Sequence, residues 1–210
     1  MKWVVGGACL IAVAASEMVI AAVGGTFSGS PQQVLSSVAA NVTGTRAGLY
    51  LAVLLAILLV PGVLPTLELA TQKGRNGIYV GACLLLVGAF GHAILGAGAL
   101  PLLALAAPDR DRAQMTALVQ PISVEPLAIG LVLLLVAFIG GLVWLIGLVR
   151  AKWIELWVLG VYILWFLAQS LGRPLTGLSA GRLLSELPFA ITFAWVGITM
   201  IRRKSKPISA

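Results

Sequence analysis

Two ionisable side chains, Glu17 and His92, lie inside long apolar stretches of this 210-residue chain. A carboxyl group and an imidazole can transfer a proton, hydrogen-bond to each other or bind a small polar ligand. An unpaired carboxylate is costly in hydrocarbon, so Glu17 must find a donor or stay protonated. We expect His92 and Gln169 to be its partners. The alternative is structural, because a neutral Glu–His hydrogen bond would also hold two helices together.

The composition indicates which elements position these residues. Hydrophobic residues make up 60% of the chain and charged residues only 10%, whereas soluble domains are about half apolar and about a quarter charged. A hydrocarbon core about 30 Å thick requires roughly 20 apolar residues per helix. The sequence therefore predicts an all-α integral membrane protein, a single transmembrane domain over 1–210. The six predicted spans are 3–25, 47–69, 77–100, 127–149, 153–171 and 187–201.

The distribution of charge predicts the orientation of this six-helix bundle. Placing the N-terminus inside leaves most of the fourteen Lys and Arg residues in the cytoplasm, as the positive-inside rule requires. Both termini are thus predicted to be cytoplasmic, and the composition favours the cytoplasmic membrane of a bacterium. The net charge of +7 is explained by this topology, and no nucleic-acid partner is expected.

The outer connectors are long, and each is predicted to contain a short amphipathic helix on the membrane surface. The clearest helix start is Ser30-Pro31-Gln32-Gln33, with serine as the N-cap and proline at the first helical position. A second helix is predicted after Pro108 and is expected to end at Pro121. A third is predicted in the connector from Arg182 to Glu186.

Depth along the helices places several polar residues at one level. Counting from the cytoplasmic start of each span, Glu17, His92 and Gln169 lie about 21, 22 and 24 Å along their helices. These helices run in the same direction, so a polar layer is predicted in the outer third of the bundle. The predicted ligand-binding residues are Glu17, His92, Gln169, Ser16, Ser170 and Thr192.

Small residues recur at spacings that allow helices to pack closely. The first helix has Ala8, Ala12 and Ser16 at intervals of four, and the third has Gly77 and Gly81. Such faces could also dock a membrane-protein partner, and membrane lipid surrounds the rest.

The sequence lacks the usual catalytic and cofactor motifs. It has no phosphate-binding Gly-x-x-x-x-Gly-Lys-[Ser/Thr] loop, no His-Glu-x-x-His motif and no nucleophile elbow. Its cysteines, Cys9 and Cys83, lie in different spans and make no metal site with the single histidine. We therefore predict no cofactor, no metal and no catalytic residue.

Three classes of function remain. The one we favour is a protein that binds or transports a small molecule at the polar layer. Its layout is similar to that of the substrate-binding membrane subunits of energy-coupling-factor transporters, a resemblance that implies a partner ATPase. The first alternative is a non-catalytic accessory subunit of a larger membrane complex. The second is a membrane enzyme, a cyclase or isomerase using Glu17 as acid and His92 as base on a lipophilic substrate.

Overall fold

The computed structural model describes residues 1–23, 30–71, 73–107, 111–171 and 179–203. These residues form helices and short turns and contain no strand, which confirms the all-α prediction. The helices are α1 (Lys2–Val23), α2 (Pro31–Ala40), α3 (Val42–Val63), α4 (Arg75–Leu105), α5 (Arg112–Arg150), α6 (Leu156–Leu171) and α7 (Ser179–Arg203). A 3₁₀ helix, Leu64–Thr71, continues α3.

Five helical segments in the described part of the chain are long and apolar enough to cross a membrane. They are Lys2–Val23, Val42–Leu69, Arg75–Leu105, Ala128–Arg150 and Gly181–Arg203. The fifth predicted span, 153–171, corresponds to α6, whose 16 residues extend only about 24 Å, short of a core about 30 Å thick. The structure thus supports an all-helical chain with five candidate membrane spans among the described residues and does not confirm the sixth.

Two helices begin before the predicted spans, because an apolar run does not mark where a helix begins. The fourth span, predicted over 127–149, agrees with the candidate span Ala128–Arg150. Helix α5 itself begins at Arg112 and continues through Pro121, so the short helix that was expected to end there is part of α5. A proline inside a helix removes one hydrogen bond and bends the axis without always ending the helix. The sixth was predicted to begin at residue 187, but α7 begins at Ser179. Residues 182–186 therefore belong to this helix and do not form a connector.

The short helix α2 begins where the sequence predicted. The Gln33 backbone N–H donates to Ser30 Oγ, and the Ser30 N–H donates to Gln33 Oε1 at 2.8 Å. Each side chain thus satisfies a backbone donor that has no partner within the helix. Its apolar residues Val34, Leu35 and Val38 are buried in a cluster with residues of α3 and α4. This packing holds α2 across one end of the bundle, which we call the α2 end.

The opposite end, which we call the terminal end, contains both ends of the chain's described part. Helix α1 packs against α3 and α7, α4 packs against α3 and α5, and α6 packs against α5 and α7. A side chain at Gly7 would collide with the Gly197 carbonyl oxygen, so the start of α1 lies against the last part of α7. Lys2 forms an ion pair with Glu68 at the same end.

Glycines determine the closest helix contacts. A Cβ at Gly81 would lie against the backbone of Trp144, and one at Gly88 against that of Ala137, so α4 and α5 pack with their backbones close together. The Gly77–Gly81 pattern therefore lies in a real interface. The predicted stripe on α1 behaves differently, because Ala8 is exposed and α1 approaches its neighbours through Gly6 and Gly7.

Candidate functional site

Two glutamates, Glu17 of α1 and Glu186 of α7, lie on helices that pack against each other. Gly7 of α1 lies against Gly197 of α7. Ten residues along α1 from that contact, and eleven back along α7, correspond to rises of about 15 and 16 Å. The two helices therefore bring Glu17 and Glu186 to the same level. Glu186 also shares a helical face with Gly197, because eleven residues are close to three full turns.

Glu186 accepts two hydrogen bonds from α6. Trp165 Nε1 donates to Glu186 Oε2 at 2.8 Å, and Gln169 Nε2 donates to Glu186 Oε1. Trp165 and Gln169 lie one turn apart, so both donors point from one face of α6 towards α7. Each of the two carboxyl oxygens of Glu186 therefore accepts one N–H group from α6.

Glu17 has a different environment. Its Oε2 atom is buried and has no hydrogen-bond partner in the described part of the chain, although the residue as a whole is partly exposed. Its carboxyl interacts electrostatically with Glu186. Two carboxylates at short range repel each other, and a low-dielectric surrounding strengthens that repulsion. A proton on either carboxyl would remove that repulsion.

The structure does not join Glu17 to His92. Within the described ranges, neither residue has a hydrogen bond to the other. His92 is partly buried on α4, between Gly88, which faces α5, and Gly96, which faces α3. The predicted common depth of the two residues does not give a hydrogen bond between them, and α1 packs mainly on α3 and α7.

The other predicted site residues differ in whether they contact the glutamates. Gln169 does, and it donates to Glu186 rather than to Glu17. Ser16 is buried beside Glu17 on α1. Thr192 is fully buried, but its hydroxyl donates to the Pro188 carbonyl oxygen one turn earlier on its own helix. The side chain of Ser170 lies outside the described residues.

Aromatic rings pack next to Glu186 on the side that faces the terminal end. The ring of Trp165 lies 4.9 Å from that of Phe189 and 5.4 Å from that of Tyr162, measured between centroids. The Tyr162 hydroxyl donates to the Phe138 carbonyl oxygen at 3.2 Å. These rings pack against one another across α5, α6 and α7 and keep the surroundings of Glu186 apolar.

Two surface depressions lie elsewhere in the described part of the structure. One, of about 310 Å³, lies at the terminal end between Arg75 and Arg150. The other, of about 340 Å³, lies between α2 and the start of α5, where it is lined by Leu35 and Arg112. Neither is lined by Glu17. Within the described ranges, no group of three or more His, Cys, Asp and Glu residues could hold a metal ion.

Glu186 is the residue that the sequence prediction missed. The apolar run begins at Leu187, so Glu186 was assigned to a connector. A signal was present, since Leu183, Leu184 and Glu186 all favour helix and extend the run backwards by a turn. Counting α1 and α7 as antiparallel neighbours would then have set the two glutamates at one level.

Comparison with known proteins adds no relative. No protein-family model matches the chain, and neither a curated protein nor a solved structure is detectably similar to it.

Proposed function

We propose that this chain is a membrane protein that binds or transports a small molecule at a polar layer formed by α1, α6 and α7. The observation that carries the proposal is the meeting of Glu17 with Glu186, in which one buried carboxyl oxygen lacks a partner. Ionisable groups inside membrane helices are expensive and usually mark a pathway for a substrate, an ion or a proton. Gln169 and Ser16 complete the layer, and Thr192 and Ser170 stay predicted members.

The terminal end is proposed to face the cytoplasm of a bacterial cell. The supporting observation is the gathering of basic residues there, in keeping with the positive-inside rule. Those within the described ranges are Lys2, Lys73, Arg75, Arg150, Lys152, Arg202 and Arg203. The polar layer would then lie nearer the outer surface.

Access from water to Glu17 tests the proposal directly. In a Cys9→Ala, Cys83→Ala background, Glu17→Cys is treated in oriented vesicles with a charged methanethiosulfonate reagent from either side. A binding site must be reachable, so we expect labelling from the α2 end. Ser36→Cys, on the exposed face of α2, is the accessible control. Val158→Cys, fully buried on α6, is the protected one. If Glu17→Cys is as protected as Val158→Cys from both sides, the proposal fails.

The accessory-subunit alternative has one observation in its favour. Ala8, Ala15 and Ala22 are exposed at intervals of seven residues on α1, a small-residue face that a partner helix could approach. A bulky Ala15→Trp change should then dissociate a native membrane complex without altering access to position 17. If the complex keeps its size on a native gel, this alternative loses its support. The enzyme alternative required Glu17 beside His92, and within the described residues no hydrogen bond joins these two side chains.

A further inference from the structure

We infer that the depression between α4 and α5 at the terminal end binds the headgroup of an anionic phospholipid such as phosphatidylglycerol. This depression, of about 310 Å³, is lined by Arg75 and Asn76 of α4 and by Arg150 of α5. The inference depends on the membrane location of the helices and not on the polar layer around Glu17. It therefore goes beyond the proposed function.

The two arginines stand at the ends of two candidate membrane spans. One span, Arg75–Leu105, begins at Arg75, and the antiparallel span Ala128–Arg150 ends at Arg150. Both guanidinium groups therefore lie at the boundary where the apolar part of the helices gives way to polar sequence. Basic pockets between membrane helices at this level bind the headgroups of anionic lipids.

Glycines bring these two helix ends together. A Cβ at Gly77 would lie 3.0 Å from Gly147 Cα, and a Cβ at Gly74 would lie 3.2 Å from Arg150 Cβ. Gly74 has a φ of 102°, which glycine adopts without the steric cost that other residues meet. Because the contacts at Gly77 and Gly147 involve backbone atoms, the exposed side chains of Arg75 and Arg150 line one depression.

The depression contains hydrogen-bond donors of two kinds. Gly74 is the N-cap of α4 and provides no side-chain cap, so the N–H groups of Arg75, Asn76 and Gly77 have no partner within the helix. The guanidinium groups add donors whose spacing matches phosphate oxygens. Arg75 also lies over the Tyr79 ring, 5.8 Å from its centroid, a stacking contact that does not use its N–H donors.

The positive charge of the depression is not neutralised within the described part of the chain. The two described carboxyl groups of the terminal end have other partners, because Glu68 pairs with Lys2 and Glu155 accepts a hydrogen bond from a tryptophan. Neither Arg75 nor Arg150 forms an ion pair with a described residue. A phosphate group is the charge complement of this arrangement.

The apolar wall favours a lipid over a free phosphate ion. Val143 and Ile146 line the depression beside the arginines. Ile146 is exposed, and Ile139, about two turns away on α5, is exposed as well. An apolar surface thus leads from the arginines towards the middle of the span. A phospholipid would cover it with its glycerol and acyl chains, whereas a phosphate ion would leave it bare.

Thiol labelling in bilayers of defined composition tests the location. Asn76→Cys, in a Cys9→Ala, Cys83→Ala background, is placed in nanodiscs of phosphatidylcholine, alone or mixed equally with phosphatidylglycerol. We expect the anionic lipid to slow the reaction with N-ethylmaleimide by about fivefold, because a bound headgroup covers the residue at high occupancy. Lys73→Cys, exposed at the same surface but outside the depression, should react equally fast in both.

Removal of each arginine tests the headgroup contact. Native mass spectrometry of the full chain in detergent measures how much added phosphatidylglycerol it retains. Arg75→Gln and Arg150→Gln should each weaken binding by about tenfold, since each removes charge-assisted hydrogen bonds. Arg112→Gln, which removes an exposed arginine from the depression at the α2 end, is the matched control and should not change it. Phosphatidylcholine, with no net charge, should be retained less.

Three outcomes would overturn the inference. Equal slowing of Lys73→Cys and Asn76→Cys would mean that the lipid acts on the surface as a whole. Unchanged retention in both arginine variants would remove the headgroup contact. Displacement of the lipid by inorganic phosphate would assign the depression to a free anion. The labelling test leaves both arginines in place, so it remains valid if an arginine variant fails to fold.

Discussion

Two regions of polar side chains between helices in the described part of the chain differ in how completely their hydrogen bonds are made. At the terminal end, Trp144 Nε1 donates to Thr66 Oγ1 at 2.9 Å, and that hydroxyl donates to the Val63 carbonyl oxygen at 2.7 Å. Both Trp144 and Thr66 are fully buried. Near the α2 end, the Glu17–Glu186 pair instead places two acids together and leaves one oxygen without a partner.

This difference in hydrogen bonding distinguishes a link that stabilises the fold from one that we propose to be part of a functional site. In the first link every donor has an acceptor, so it connects α5 to the 3₁₀ helix at no unsatisfied cost. The Glu17–Glu186 pair costs free energy when both carboxyls are ionised, because the like charges repel each other. The buried Glu17 Oε2 atom, which has no hydrogen-bond partner, adds to this cost. Sites that bind a ligand commonly keep such a cost until the ligand arrives. The predictions below test whether this contrast is real.

The largest effect is expected at Glu186. Glu186→Leu removes the acceptor of Trp165 Nε1 and of Gln169 Nε2, and each buried donor left without a partner costs about 1–3 kcal/mol. Glu17→Leu removes a carboxyl whose Oε2 has no partner and relieves the repulsion, so its free energy of unfolding should be equal to that of the wild type or higher. Reversible unfolding in mixed detergent measures both.

Equal destabilisation by the two leucine variants would contradict this asymmetry. It would mean that Glu17 has stabilising contacts equivalent to those of Glu186, and the unsatisfied oxygen could not then be taken as the sign of a site.

A smaller effect is expected in the complete link. Thr66→Val keeps the shape of the side chain but leaves Trp144 Nε1 without its acceptor, at a cost of about 1–3 kcal/mol. Thr192→Val is the matched control, since Thr192 is equally buried but its hydroxyl bonds only to its own helix. The same unfolding experiment compares them. If Thr192→Val proves as costly as Thr66→Val, the link does not depend on the tryptophan.

The smallest effect is expected at the surface of the terminal end. The hydrogen bond from Trp195 Nε1 to Glu155 Oε2, at 2.9 Å, lowers the pKa of Glu155 below its ordinary value of 4.5, and the charge of Arg203 adds to this. A lowered folded-state pKa gives stability that is complete above pH 4.5 and is lost as the pH falls through the folded value. Glu155 is exposed, so solvent reduces the gain.

Trp195→Phe, which removes the donor, should therefore lower the unfolding midpoint slightly at neutral pH, and the difference should disappear in acid. A difference that is constant across this pH range would assign the effect to ring packing instead, because Trp195 also packs edge-on against Trp157 at 5.1 Å.

The sequence predicted the parts of this fold that depend on local chemistry. The capping pattern at Ser30 fixed the start of α2 because the capping hydrogen bonds lie within four residues of chain. Apolar runs located the five candidate spans because hydrocarbon requires about 20 apolar residues in a row. The same rule does not give the starts of α5 and α7, since a helix can begin in polar sequence before the apolar run.

The composition alone indicated long apolar helices of membrane-spanning length, and the depth of Glu17 along its helix followed from the fixed rise per residue. The partner of Glu17 was decided only by the tertiary structure. The depth of a residue along its helix does not determine which helix lies beside it. Glu17, His92 and Glu186 all lie towards one end of the bundle, but α1 packs against α7 rather than α4. That choice depends on Gly7 and Gly197 meeting across 190 residues of chain, a contact that no local pattern encodes.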